Sequence, residues 1–312
     1  LLCLQEVWRD GDLSTLVDAM ADLYPYALWR QTTLEELSDE SDDMIGCTIA
    51  ETEALVACTV PLCDGEVDLY SCVFDNCAPH FEALSTDCQA CAGQNLSLGN
   101  VPDILEACTS GDGDLYNYDG RNGLLLLSKR PLTETRSLVL PSFLTARAVL
   151  FAQVSQVAVG CTHLTSELAE PPYNGEFESY GAENEAQLAT VLNEIAQGDP
   201  SRPMVLAGDL NTGPRVGRSI DPELPESYAM LETEGWLSPY AKSPSPLCTW
   251  CAENQLADGQ SLIIDHVLGK NLAPRSVDAL FREPTTIRTS DGQTFETPLS
   301  DHYGVRVVFE MP

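Results

Sequence analysis

Short apolar segments that end at a polar or charged side chain recur along this chain of 312 residues. Burying a charge inside a sheet is costly, so such side chains normally lie where a strand leaves the sheet. "VAVGCTH" and "MVLAGD" are of this kind, and "SDHYGVRV" places an Asp-His pair directly before an alternating segment. The pattern predicts strands whose ends carry the polar groups. In chain order these groups are Glu6, His163, Asp209, Asn211, Asp265, Asp301 and His302.

Two helical patterns accompany the strands. "DGDLSTLVDAMADLYP" and "GAENEAQLATVLNEIAQG" repeat apolar residues at helical spacing, and each is bounded by helix start and stop signals. Strands outnumber helices, and they arrive both as near neighbours and across helices. This order predicts an α/β protein with mixed sheets and helices outside them.

Twelve cysteines determine the expected compartment. Seven of them crowd one segment with little hydrophobic periodicity, which favours disulfides, secretion and an extracellular or otherwise oxidising compartment. The alternative is zinc, because "CQAC" and "CTWC" have the spacing of zinc knuckles, but the other spacings are irregular and His80 is the only nearby imidazole. The spacing leaves the connectivity open. The seven are Cys58, Cys63, Cys72, Cys77, Cys88, Cys91 and Cys108.

The character of the chain changes between residues 39 and 119. This segment begins in the acidic run "SDESDD", contains Cys47 as well as the seven clustered cysteines, and ends at "SGDGDLYNYDG". We interpret it as a disulfide-rich acidic insertion within a single catalytic domain that spans residues 1–312. Its last part offers oxygen ligands for calcium, although a solvated turn explains the same residues. These residues are Asp112, Asp114, Asn117 and Asp119.

The charge limits the partners. The net charge is -32, with 48 acidic and 16 basic residues, so the surface offers no broad basic footprint for nucleic acid. A cleft that holds a metal ion and contacts one phosphate remains compatible with this charge. No apolar run approaches the roughly 18 residues of a transmembrane segment, and the oligomeric state is left open. Because the sequence opens inside the apolar run "LLCLQEV", we expect further residues, including any secretion signal, upstream.

The polar residues at the strand ends fit the attack of water on a phosphodiester. Oxygen ligands such as Glu6 hold a magnesium ion, an imidazole oriented by a carboxylate withdraws a proton from water, and donors such as Asn211 and His163 stabilise charge on phosphorus. Each residue taken alone has an ordinary structural explanation: a loop acid, a helix cap, a turn residue or a core imidazole. The hypothesis rests on their joint occurrence.

Five ordered motifs, "LQEVW", "THL", "GDLN", "IDHV" and "SDHYGV", resemble the endonuclease/exonuclease/phosphatase superfamily, which includes deoxyribonuclease I, abasic-site endonucleases, neutral sphingomyelinases and inositol phosphatases. The resemblance covers Leu1 to about Arg30 and about Arg121 to Glu310. It implies a four-layered α/β sandwich, with two mixed β-sheets packed face to face and helices outside, to which the cysteine-rich insertion is added. It also implies a metal-dependent phosphoric ester hydrolase that uses Mg²⁺, with Mn²⁺ or Ca²⁺ as alternatives.

The resemblance also implies roles for single residues. His302 is expected to be the general base, polarised by Asp265. Asp209 and Asn211 are expected to position the water and the phosphate, and His163 to bind the phosphate or assist the leaving group. The family's first strand also supplies an Asn before "QE", which we expect upstream of this sequence. The expected metal ligands are Glu6, Asp301 and Asp209.

Nucleic acid and a phospholipid head group such as that of sphingomyelin are nearly equal candidates for the substrate. The sequence reveals no exposed aromatic segment of the kind that inserts into a bilayer. The alternative function is a catalytically inactive scaffold that binds partners through the insertion. A phosphomonoesterase ranks third, because it needs extra basic residues for additional phosphates. The nearest candidates are Arg121, Lys129, Arg130 and Arg147.

Overall fold

The computed structural model describes residues 1–32, 45–63, 65, 69–114, 116–169, 171–197, 199–257, 259–289 and 292–310. The expected start of the insertion at residue 39 lies outside these ranges. The strands are β1 (Leu2–Leu4), β2 (Tyr26–Leu28), β3 (Leu125–Ser128), β4 (Thr133–Leu140), β5 (Arg147–Val154), β6 (Val157–His163), β7 (Met204–Asp209), β8 (Asp265–Lys270), β9 (Ala273–Leu280), β10 (Thr285–Arg288), β11 (Thr294–Thr297) and β12 (Gly304–Glu310). The helices are α1 (Asp10–Met20), α2 (Ile49–Cys63), α3 (Leu69–Phe81), α4 (Thr86–Gln94), α5 (Val101–Ser110), α6 (Tyr180–Ile195) and α7 (Pro225–Thr233).

The central sheet has five strands in the order β4-β5-β6-β7-β8. It is mixed, because β6 and β7 are parallel while the other neighbours are antiparallel. A second sheet has the order β1-β3-β2, and its pairings are antiparallel. The expected second mixed sheet is therefore antiparallel in the described part of the chain. Two further antiparallel pairs join β9 to β12 and β10 to β11.

The two sheets pack face to face through apolar side chains. In "LLLL", Leu124 and Leu126 lie in the cluster between the sheets, together with Leu150 of β5. Leu125 and Leu127 point the other way and pack against the apolar face of α1. A strand buried on both faces explains why this segment is a continuous apolar run rather than an alternating one. Helix α1 therefore forms the outer layer on this side of the sandwich.

The other face of the central sheet is covered by α6 and α7. Leu188, Val191 and Ile195 of α6 form a cluster with Leu206 of β7, and Trp236 closes it beyond α7. The layers therefore run from α1 through the two sheets to α6 and α7. This arrangement confirms the expected α/β sandwich with helices outside. Among the described residues, no helix has the length and apolar character needed to span a bilayer.

The cysteine-rich segment forms α2, α3, α4 and α5, which enclose an apolar cluster of their own. No cysteine is free, so the zinc alternative is wrong. Six disulfides agree with an oxidising setting. No group of three ligands that includes Asp112, Asp114 or Asp119 occurs among the described residues. The disulfides join Cys3 to Cys161, Cys47 to Cys88, Cys58 to Cys77, Cys63 to Cys72, Cys91 to Cys108 and Cys248 to Cys251.

Candidate active site

Three neighbouring strands of the central sheet bring polar residues to one end. His163, the last residue of β6, lies opposite Asp209, the last residue of β7. Asp209 in turn lies opposite Asp265, the first residue of β8. The sheet register therefore places an imidazole and two carboxylates side by side. This juxtaposition follows from the position of each residue at the end of its apolar strand.

The "GDLN" turn after β7 requires its particular residues. Gly208 has a φ of 143°, and a Cβ at this position would overlap the carbonyl oxygen of Thr162 on β6. Asn211 has a φ of 49°, a left-handed conformation that Asn tolerates better than most side chains. Its backbone N–H donates to Asp209 Oδ1 at 2.8 Å, and its Nδ2 donates to the carbonyl of Leu164 at 2.9 Å. Asn211 is thus held firmly beside Asp209.

His302 lies just before β12 and faces this end of the sheet. Its Nδ1 is 2.8 Å from Asp265 Oδ2, and its Nε2 is 3.9 Å from Asp209 Oδ2. Desolvation lowers the pKa of His302, but the charges of Asp265, Asp209 and Asp301 outweigh it and raise the pKa to about 10. The carboxylates thus attract positive charge at this point. The expected orientation of His302 by Asp265 has a geometric basis.

Asp209 and His163 are both buried. Desolvation, together with the charge of Asp265, raises the pKa of Asp209 to about 7. Desolvation, assisted by the charges of Arg147 and His302, holds the pKa of His163 well below its ordinary value. His163 is therefore neutral at pH 7, and its Nε2 lies 3.5 Å from Asp209 Oδ2. A neutral imidazole can donate one hydrogen bond without adding charge to the site.

The carboxylates of Glu6 and Asp301 flank the same cluster. Glu6 is exposed and has a φ of 61°. Partial desolvation raises its pKa, and Arg147, Asp301, His302 and Asp265 also act on it electrostatically. Asp301 Oδ1 accepts hydrogen bonds from the neighbouring Ser300 hydroxyl and the His302 N–H.

The chemistry of these side chains fits a divalent cation. Carboxylate oxygens are the ligands that Mg²⁺ prefers. Desolvation first, and the charge of neighbouring carboxylates second, raise the pKa values of Glu6 and Asp209, and a bound cation would oppose both effects. Ligand atoms of Asp209, Asp265 and His302 all lie within 4.8 Å of one another. Among the described residues, Glu6 and Asp301 belong to no such group of three. The structure thus gathers Asp209 with the His302 pair rather than with the other two expected ligands.

Arg147 is a site residue whose place the sequence did not reveal. It begins β5, is buried, and has no hydrogen-bond partner at Nε or Nη1 within the described part of the chain. Burial lowers its pKa, and the charges of Glu6 and Asp209 oppose that shift. Arg147 is one of the four basic candidates named from the sequence. The sequence around Arg147, "TARAVLF", has the apolar pattern of an ordinary buried strand and gives no sign of a functional side chain.

Two aromatic residues form a wall beside Glu6. Trp8 and Tyr118 stack with their ring centroids 4.2 Å apart and their planes within 4°. Tyr118 is exposed and has a φ of 58°, and Glu6 helps desolvation to raise its pKa. In contrast, His266 of the "IDHV" motif is buried and contacts Ser238 Oγ and the carbonyl of Thr212, so its contacts are structural.

Comparisons with known proteins identify the family of this chain. The sequence model of the Endonuclease/Exonuclease/phosphatase family matches residues 1–302. The chain therefore belongs to the endonuclease/exonuclease/phosphatase family, whose members hydrolyse phosphoester bonds. No curated protein sequence matches the chain.

Three solved structures show what this chain is similar to. A beta toxin 275-280 from Staphylococcus aureus is 13% identical with a TM-score of 0.54, over 99% of this chain and 86% of that one. Sphingomyelinase C from Streptomyces griseocarneus is 18% identical with a TM-score of 0.47, over 97% and 84%. An endonuclease/exonuclease/phosphatase from Beutenbergia cavernae DSM 12333 is 19% identical with a TM-score of 0.40, over 60% and 47%, so the match spans less than half of that protein. Of the three, the beta toxin, with a TM-score of 0.54, supports the fold.

Proposed function

We propose that this chain is a divalent-metal-dependent phosphodiesterase in which water attacks phosphorus in line with the leaving group. The observation that carries the proposal is the pair formed by His302 Nδ1 and Asp265 Oδ2 at 2.8 Å, beside Asp209 at the end of the central sheet. An imidazole whose Nδ1 is bound to a carboxylate can take a proton from water at Nε2 when it is neutral, and a cation bound by the neighbouring carboxylates would offset the negative charge that raises the pKa of His302. We therefore assign His302 as the general base and Asp265 as the residue that orients it.

The phosphate is assigned to three side chains around this pair. Arg147 presents guanidinium N–H groups that have no partner among the described residues, which suits the non-bridging oxygens of a phosphate. Asn211 donates one amide hydrogen to the carbonyl of Leu164, and within the described part of the chain its other amide hydrogen is left to donate to the phosphate. His163, which is neutral, donates a hydrogen bond toward the leaving oxygen. Asp209 positions the attacking water.

We assign Glu6, Asp301 and Asp209 to hold the cation, as the family resemblance implies, although of the three only Asp209 belongs to a group of close ligand atoms among the described residues. A divalent cation supplies charge neutralisation at the phosphate and at the leaving oxygen. Mg²⁺ is the first candidate because the ligands are carboxylates. The six disulfides support action in an extracellular or otherwise oxidising compartment.

A hairpin that ends four residues before Asp301 favours a lipid as the substrate. Strands β10 and β11 form this hairpin, in which Ile287 lies opposite Phe295, and Phe295 is 47% exposed. Leu299, which is 60% exposed, follows the hairpin two residues before Asp301. Exposed apolar side chains grouped next to a catalytic site mark contact with an apolar surface. The sequence pattern had not revealed this hairpin.

The charge of the protein narrows the choice further. A net charge of -32 opposes approach to a polyanion, and no Lys or Arg occurs between Gln31 and Gly120 to offset it. An anionic membrane is disfavoured for the same reason. We therefore propose a zwitterionic phospholipid, such as sphingomyelin, whose phosphocholine head group is released by the reaction.

The test compares vesicles of sphingomyelin and phosphatidylcholine with supercoiled DNA, in Mg²⁺, with and without a chelator. We expect release of phosphocholine that the chelator and His302→Ala both abolish. The double variant Ile287→Ser/Phe295→Ser should lose activity on vesicles but keep activity on a soluble chromogenic phosphocholine ester. Nicking of DNA without release of phosphocholine would overturn the lipid assignment alone. Inactivity on all substrates, from protein that still binds Mn²⁺, would overturn the phosphodiesterase proposal in favour of a binding scaffold.

A further inference from the structure

The turn formed by Cys248, Thr249, Trp250 and Cys251, here called the CTWC turn, lies directly beside the His302 and Asp265 pair. Its two cysteines are joined to each other and are buried. They pack in one cluster with Tyr303, the residue after His302. The proposed mechanism assigns no role to this turn.

On one side the CTWC turn holds the backbone that carries Asp265. The Thr249 hydroxyl accepts hydrogen bonds from the N–H groups of Ile264, at 3.1 Å, and Asp265, at 3.2 Å. One side-chain oxygen therefore binds two consecutive amides where β8 begins. Asp265 emerges from this point toward His302, so the Thr249 hydroxyl fixes the direction in which the carboxylate leaves the strand.

On the other side the same turn holds His302. The carbonyl of Thr249 accepts the N–H of Tyr303 at 2.8 Å, and Trp250 pairs with His302 as an isolated β-bridge. The Trp250 ring also meets the imidazole edge-on, with centroids 5.0 Å apart and planes at 67°. The two residues between the cysteines therefore contact both members of the pair.

The position of the disulfide matters because it encloses only these two residues. Cys248 and Cys251 are separated by 3 positions, whereas the other five disulfides close loops of 9 to 158 positions. A short loop restricts the unfolded chain least, so this disulfide contributes least to global stability through chain entropy. Its main physical effect is local: it restricts the backbone of Thr249 and Trp250.

We propose that the CTWC turn positions the general base, with Thr249 and Trp250 as positioning residues, and that reducing its disulfide lowers activity. This inference rests on the proposed function. A dithiol reductant is the co-reactant: its thiolate attacks one sulfur of the disulfide, a mixed disulfide forms, and its second thiol resolves it. The reductant is oxidised to its own disulfide, and two protons end on Cys248 and Cys251.

The first experiment removes the hydroxyl of Thr249 while keeping its shape. Thr249→Val should lower kcat by about 10- to 100-fold with little change in KM, because misplaced catalytic groups slow the chemical step more than substrate binding. Thr249→Ser keeps the acceptor and should restore most of kcat. Equal kcat in the Val and Ser variants would overturn the positioning role.

The second experiment opens the turn itself. Cys248→Ser/Cys251→Ser should lower kcat as Thr249→Val does. A dithiol should then no longer lower the activity through this turn. The matched control is Cys58→Ser/Cys77→Ser, which deletes a disulfide of the insertion and should leave kcat within about twofold, since it lies outside the site. Full activity of the Cys248 and Cys251 variant would overturn the inference.

A spectroscopic readout separates this inference from the proposed function. In protein labelled with ¹⁵N-histidine, the Nδ1–H of His302 bound to Asp265 should give a downfield proton signal that His302→Ala removes. We expect Thr249→Val to weaken or shift this signal and Thr249→Ser to keep it. The signal needs no substrate, so an unchanged signal in Thr249→Val overturns the inference even if the wild type proves inactive on every substrate.

Discussion

The α/β sandwich and the cysteine-rich insertion are held together by different means. In the sandwich, apolar side chains fill the space between the two sheets and beneath α1, α6 and α7, and one disulfide, Cys3 to Cys161, crosses between the sheets. The helices of the insertion have 9 to 15 residues, a length at which isolated helices are marginal. Four disulfides join them. In the insertion, disulfides thus supplement a small apolar core.

The insertion disulfides also follow an order that the sandwich lacks. Three are nested, and the two inner ones fasten α2 to α3, because each helix carries two cysteines five positions apart. The insertion contains many acidic residues and no Lys or Arg, so its surface repels itself. The assigned catalytic and metal-binding residues all lie in the sandwich. The assigned catalytic residues therefore lie in the sandwich and four of the six disulfides lie in the insertion, with the CTWC turn as the one place where a disulfide lies beside the catalytic pair.

The largest effect tests whether catalysis depends on the sandwich alone. His302→Ala removes the general base and should lower kcat by about 10³- to 10⁴-fold. The matched control, His80→Ala, removes an exposed imidazole of the insertion and should change kcat by less than about twofold. Steady-state hydrolysis of a soluble phosphodiester measures both. A comparable loss in both variants would contradict the separation.

The next effect concerns stability. Cys58→Ser/Cys77→Ser should lower the free energy of unfolding of the insertion by about 2–4 kcal/mol, because it frees a loop whose ends are 19 positions apart. Activity at 25 °C should remain, since the site lies elsewhere. Thermal unfolding followed by circular dichroism, in parallel with activity, checks this. Loss of activity at the temperature where the insertion unfolds would show that the sandwich depends on it.

A third effect concerns Arg147, a buried charge in the sandwich that we expect to serve phosphate binding rather than stability. Arg147→Met keeps the length of the side chain but removes the charge, and it should lower kcat/KM by about 100-fold through loss of phosphate contacts. The melting temperature should not fall, because a buried guanidinium with unpaired N–H groups is costly. Arg121→Met, at a surface ion pair, is the control for charge. A large drop in melting temperature would assign Arg147 a structural role.

The sandwich could be predicted from the sequence to a greater extent than the insertion. Strands β6 and β7 end at His163 and Asp209, and β8 begins at Asp265, so these three residues become neighbours once the order of the strands in the sheet is given. The burial of Arg147 could not be predicted from its neighbours in the sequence, because it depends on how the sheets and helices pack around it. The two acids Glu6 and Asp301 could be named, but their distance from Asp209 depends on loop geometry.

The helices of the insertion escaped prediction for a physical reason. Pro61 and Pro79 lie inside α2 and α3, where proline normally interrupts a helix, and the apolar residues of α2 follow no clear helical face. Tertiary contacts and disulfides override local propensity there. The pairing of Cys88 with Cys47, rather than with its neighbour in "CQAC", depends on that packing and was left open by spacing alone.

The smallest effect probes how the insertion begins its first helix. Thr48 and Glu51 form a reciprocal cap at the start of α2: the Thr48 N–H donates to Glu51 Oε1 at 2.6 Å, and the Glu51 N–H donates to the Thr48 hydroxyl. The Ser85 N–H donates to Glu51 Oε2 at 2.9 Å. These hydrogen bonds lower the pKa of Glu51 to about 2 from an ordinary value of 4.5.

A lowered pKa means that the ionised carboxylate stabilises the folded insertion at pH values above 4.5, and that this contribution is lost as the pH falls toward 2. Glu51→Gln should therefore destabilise the insertion by up to about 1 kcal/mol at pH 7, and the difference from the wild type should shrink progressively below pH 4.5. Melting temperatures of the two proteins between pH 2 and pH 7 measure it, with Glu53→Gln, at an exposed neighbouring position, as the control. A difference that does not change with pH would show that the cap acts through shape rather than charge, and the insertion would then depend on its disulfides even at its first turn.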